Sequence, residues 1–101
     1  MSAYVIGHVT VRDQEAWAAY RARVPDTLAP WFGELLFRGH LAEVLAGDHP
    51  HRAVVALKFP TAREARGWHD SAAYQALLPL RDRAADVTLL RFDGDESSGA
   101  D

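Results

Sequence analysis

The chain has 101 residues, 49% hydrophobic and 25% charged, with a net charge of −3 and no cysteine. That length fits one domain with a single core, and the composition is that of an ordinary globular protein. Scattered lysines and arginines exclude a dedicated nucleic-acid face, and the missing cysteines exclude disulfides, thiolate metal sites and thiol nucleophiles.

Residues 1–8 lack the basic region and long apolar run of a signal peptide. No apolar run is long enough to span a bilayer. A cytoplasmic protein with no membrane partner is therefore expected.

Residues 3–11 alternate and are rich in β-branched side chains, which predicts a strand. Val5, Gly7, Val9 and Val11 form one face; Tyr4, Ile6, His8 and Thr10 form the other. Asp13 can cap the following helix by accepting its free amide hydrogens. Trp17, Tyr20, Val24 and Leu28 fall near helical spacing as one apolar stripe. Pro25 is expected to break or kink that helix, and Pro30 to close it.

Residues 34–40 predict a second strand, with Leu35, Phe37 and Gly39 on one face and Glu34, Leu36, Arg38 and His40 on the other. Residues 41–45 continue it past a bend. The run Gly47-Asp48-His49-Pro50 is a turn, and 52–59 is the third strand. Thr61-Ala62-Arg63-Glu64 matches a capping box for a helix ending near His69. Ser71 caps a further helical piece to about Ala85, and 86–92 is the last strand. The small, acidic residues 93–101 have nothing to bury and are expected to be a disordered tail behind a domain of residues 1–92. The order βαββαβ predicts an α+β fold: an antiparallel sheet covered by helices on one face.

An ordered series of residues carries a resemblance. It comprises residues 3–11, Trp17 with Tyr20, Leu28-Ala29-Pro30, Arg38-Gly39, Glu43-Val44-Leu45 with Gly47-Asp48, Phe59-Pro60, Trp68, Ser71, Tyr74 and Leu80-Arg81. This series resembles the bacterial domain-of-unknown-function 1330 family across residues 3–92. The resemblance implies a ferredoxin-like fold and a dimeric α+β barrel, with two sheets face to face, among relatives that include cofactor-free monooxygenases and isomerases. The chain departs from that pattern at Trp31-Phe32-Gly33-Glu34, at His40 and at Ala72-Ala73, which implies a differently shaped cavity.

Two places could carry chemistry. On the face holding Tyr4, His8, Glu34, Arg38, His40 and Lys58, Arg38 could grip a carboxylate or enolate oxygen. A neutral His8 or His40 could then move a proton; His8, Arg38 and His40 are the catalytic candidates. The competing reading is a salt-bridged face in which Glu34 pairs with Arg38. Between sheet and helices, Trp17, Tyr20, Trp68, His69 and Tyr74 could line a substrate pocket, or could be plain core; with Tyr4 they are the substrate-binding candidates.

No metal or cofactor is expected. His49-Pro50-His51 with Asp48 lies on a turn without a further fixed ligand spacing, no histidine spacing demands haem, and there is no phosphate loop or nucleophile elbow. The expected partners are a second copy of the chain and an anionic small molecule. The function classes that follow are a cofactor-independent enzyme with isomerase-, cyclase- or lyase-type proton transfer, or a non-catalytic dimeric binding module.

Overall fold

The computed structural model describes residues 1–94. Its elements run β1 (Ala3–Val11), α1 (Gln14–Leu28), a 3-10 turn (Ala29–Trp31), β2 (Glu34–His40), β3 (Ala53–Phe59), α2 (Ala62–Asp70), α3 (Ala72–Gln75), α4 (Leu78–Ala84) and β4 (Ala85–Asp93). The sheet is antiparallel throughout in the order β2-β3-β1-β4, with the helices on one face. The expected α+β architecture is the observed one. Asp93 ends β4, and the Gly94 N–H donates to the Ser2 carbonyl at 2.8 Å. The rest of the expected tail, 95–101, lies outside the described residues. Among those described, no helix is long and apolar enough to cross a membrane.

Local chemistry explains the boundaries. The Asp13 carboxylate accepts the Ala16 amide at 3.0 Å, and the Thr61 hydroxyl accepts that of Arg63 at 3.2 Å. Glu64 takes the Thr61 hydroxyl itself, where a capping box would use the backbone amide. Ser71 joins two helices: its hydroxyl donates to the Trp68 carbonyl at 2.7 Å and accepts from the Tyr74 amide at 3.2 Å. Pro25 does not end α1, which continues to Leu28. The proline removes one donor only, and burial of Tyr20, Val24, Thr27 and Leu28 along one stripe holds the helix together across it. Residues 41–45 do not continue β2; they form a loop whose Leu41 amide donates to the Arg52 carbonyl.

The core lies between sheet and helices. Alternation in β1 sends Ala3, Val5 and Val9 inward to meet Leu57 and Phe59 of β3. Trp68, Tyr74 and Phe59 are the large side chains sealed there, with ring centroids 4.2 Å apart for Trp68 and Tyr74 and 5.5 Å for Phe59 and Trp68. Trp31 lies against Gly67 of α2, where an added Cβ would fall 2.2 Å from the indole. The opposite face carries no helix. Phe37, Leu90 and Phe92 are exposed there, beside Tyr4, Ile6 and His8.

Candidate functional site

A bulge in β2 decides where the polar candidates point. Glu34 pairs with Lys58 and Leu35 with Leu57, but Phe37 pairs with Ala56, so Leu36 has no partner of its own. One extra residue reverses every side chain after it. Arg38 therefore sits opposite Val55 and His40 opposite Ala53, both on the helix-covered face, while Phe37 and Gly39 take the bare face. This corrects the expectation from simple alternation, which put Arg38 and His40 beside His8. It also removes the Glu34–Arg38 pair, since the two now lie on opposite faces. The Leu35-Leu36-Phe37 run is apolar at every position, and β2 is an edge strand with one free side, so an inserted residue meets little resistance there.

The result is one cavity of about 520 Å³ between α1 and the sheet, within the usual range for small-molecule sites. Trp17, Tyr20, Arg21 and Trp68 line it from the helices, and Arg38 and His40 from β2. The two candidate places in the sequence thus merge in part. Trp17 stacks on Tyr20 with centroids 5.0 Å apart, so two aromatic rings meet at the cavity. Tyr20 offers only its ring, because its hydroxyl is 2.9 Å from that of Tyr74. Burial, and then Tyr74, push the Tyr20 pKa far above the usual phenol range, so it stays neutral.

The cationic end of this cavity is unusual in being uncompensated. Among the described residues, Arg21, Arg38 and His40 make no ion pair and no side-chain hydrogen bond. Partial burial first, and then the neighbouring Arg21 guanidinium, draw the Arg38 pKa below its ordinary value. Arg21 was not singled out by sequence reasoning. The available signal was its place one helical turn after Trp17 and next to Tyr20, at the edge of the apolar stripe.

Four candidates lie elsewhere. Tyr74 is fully buried, and its hydroxyl also accepts from Arg81 at 3.2 Å, so it supports Tyr20 from behind. His69 faces a separate hollow of about 220 Å³ beside Arg66 and Arg91. Tyr4 stands on the bare face between Lys58 and Phe92.

His8 shares that bare face with His49 and His51, at centroid distances of 4.8 and 6.5 Å. His51 bridges two strands, 3.0 Å from the Thr10 hydroxyl and 3.3 Å from that of Thr88. Among the described residues, no group of three or more histidine, aspartate or glutamate side chains is arranged to hold a metal ion.

The Nδ1 of His8 is buried without a hydrogen-bond partner among the described residues. Burial, and then repulsion from His49 and His51, hold the His8 pKa below its ordinary value. A histidine with a lowered folded value binds its proton more readily when unfolded. Its contribution is therefore present above the unfolded value and lost as pH falls through the folded one. The melting temperature is expected to fall more steeply in the wild type than in His8→Phe between about pH 7.5 and about pH 5.5, a window spanning the ordinary histidine value. Parallel melting curves would show that His8 titrates alike folded and unfolded.

Solved structures share this architecture. A protein of unknown function from Rhodopseudomonas palustris superposes with a TM-score of 0.78 at 18% identity, over 94% of this chain and 83% of that one. SnoaB, a cofactor-independent oxygenase from Streptomyces nogalater, gives 0.69 at 12% identity, over 97% of both chains. A dimeric ferredoxin-like protein of unknown function from Thermobifida fusca gives 0.59 at 15% identity, over 91% and 90%. These likenesses identify the fold as ferredoxin-like. No curated protein matches the chain. The family model for the domain of unknown function DUF1330 matches residues 2–95, and the chain belongs to that family.

Proposed function

We propose that the cavity between α1 and the sheet binds an oxygenated, anionic small molecule and moves a proton on it without an organic cofactor. The observation behind this reading is Arg38, an arginine without an acid partner among the described residues in the lining of a largely apolar cavity. A guanidinium there can take two oxygens of a carboxylate or enolate side by side. His40, two residues along the same strand, accepts a proton from the carbon next to a carbonyl. The electron pair left behind moves onto the carbonyl oxygen, which Arg38 neutralises. Return of the proton to another carbon isomerises the molecule; loss of a leaving group makes the step an elimination. SnoaB, similar in fold, is a cofactor-independent oxygenase, so chemistry without a cofactor has a precedent on this architecture.

The working unit in this reading is a homodimer in the cytoplasm, its two bare faces packed together. Exposed Phe37, Leu90 and Phe92 on that face support it, as does the dimeric relative. Sedimentation at micromolar concentration is expected to give a dimer, and Leu90→Glu to give a folded monomer. A wild-type monomer would remove the face-to-face arrangement.

Native mass spectrometry of freshly purified protein tests the binding claim. A dimer carrying an anionic molecule is the expected result, and empty protein that also fails to take up added aromatic acids would overturn it. If the molecule binds but is unchanged after incubation, the chain is a non-catalytic binding module.

A further inference from the structure

The cavity holds a second arginine that the proton-transfer chemistry does not use. We infer that Arg21 and Arg38 form a two-point clamp, and that the ligand carries two neighbouring oxyanions at one end of a flat apolar body. The inference rests on the preceding reading that the cavity binds an anion, and it narrows the class of that anion.

Two observations and one principle carry it. Arg21 projects from α1 and Arg38 from β2, so the two reach the same cavity from opposite walls. Neither has an acid partner among the described residues, and Glu34, the acid nearest to Arg38 along β2, faces the other side of the sheet. Two cations that share a site disfavour each other, and the cheapest relief is a matching pair of negative charges. One carboxylate answers one guanidinium and leaves the second exposed to its neighbour. A dicarboxylate, or a carboxylate beside an enolate, answers both.

The rest of the cavity sets the other half of the ligand. Val9, Leu57 and Leu89 of the sheet face Trp17 and Val24 of α1, all apolar and one of them, Trp17, aromatic. Among the described residues, the cavity lining holds no basic side chain besides these two arginines and His40. Both charges therefore belong at one end, and the remainder of the ligand is a planar hydrocarbon framework.

The test uses two probes of the same shape, 2-naphthoate and naphthalene-2,3-dicarboxylate, titrated calorimetrically into wild type, Arg21→Gln and Arg38→Gln. Both arginines are exposed at the cavity mouth, and unchanged melting temperatures will show that the variants fold. Wild type is expected to prefer the dicarboxylate by about tenfold, the gain of one further charge-assisted pair at an exposed site. Arg21→Gln is expected to lose the preference and bind the two probes alike, with a smaller loss of naphthoate affinity than Arg38→Gln. Arg38→Gln weakens both. Equal affinities in the wild type, or a dicarboxylate preference that survives in Arg21→Gln, would overturn the clamp and leave the single-anion site standing. Binding of neither probe by the wild type would overturn the anion site itself, and the clamp with it.

Discussion

Trp68→Ala is expected to cost about 3–5 kcal/mol, the range for deleting a large aromatic side chain from a core. The indole is 1% exposed, and the rings of Tyr74 and Phe59 lie 4.2 and 5.5 Å away. Its Nε1 donates to the Thr27 hydroxyl at 3.0 Å, and that hydroxyl donates onward to the Val24 carbonyl at 2.7 Å. The side chain thus ties α2 to the part of α1 that follows Pro25. A hole at this position cannot collapse easily, because the sheet lies on one side and α1 on the other. A domain of this size has about 5–15 kcal/mol in total, so the variant should be close to unfolding. Its melting temperature should fall by roughly 12–40 °C, taking about 4–8 °C per kcal/mol. Trp68→Phe keeps the ring contacts and loses only the Thr27 bond, so it should cost far less. A drop of under about 5 °C for Trp68→Ala, the shift expected from only 1 kcal/mol, would mean that the core is not organised around this residue.

Much of the fold was legible because one rule sufficed at each point. In β1 a period of two sorts Ala3, Val5 and Val9 inward without exception, since both neighbouring strands fix its register. Asp13, Thr61 and Ser71 announce helix starts because each hydroxyl or carboxylate has a free amide to satisfy. Pro25 shows the limit of a local rule, for the buried stripe around it outweighs one lost donor.

The candidate site was half legible for a physical reason. Arg38 and His40 both line the cavity, but their face depends on whether Leu36 takes a partner. Nothing in an apolar tripeptide on an edge strand reveals that, because either register leaves apolar groups acceptable on both sides. His8 was grouped with them by the same unbroken alternation; the bulge leaves it across the sheet, with His49 and His51. Arg21 escaped attention because an arginine beside an apolar helix stripe is normally just solvated. Only the facing strand makes it part of a pair.

His40→Gln and Arg38→Gln should separate chemistry from binding. Both side chains are exposed at the mouth of the cavity, so each variant should fold with a melting temperature near that of the wild type. Proton transfer can be followed in D2O by mass spectrometry, as deuterium entering the molecule that co-purifies. His40→Gln removes the proposed proton carrier, and its exchange rate should fall about 10²–10⁴-fold, the usual weight of a general base. Binding should survive, because glutamine preserves polarity and much of the volume. Arg38→Gln removes the charge proposed to meet the oxyanion, and here affinity should fall as well. A loss of about 2 kcal/mol, roughly 30-fold, is expected, the low end for a charged pair because this one is open to solvent on one side. The enolate formed on deprotonation is more charged at that oxygen than the ground state, so the rate should drop beyond the loss of binding. Unfolding of both variants would make these residues structural. Unaltered exchange in His40→Gln would assign the proton to another group and leave Arg38 as a binding residue alone.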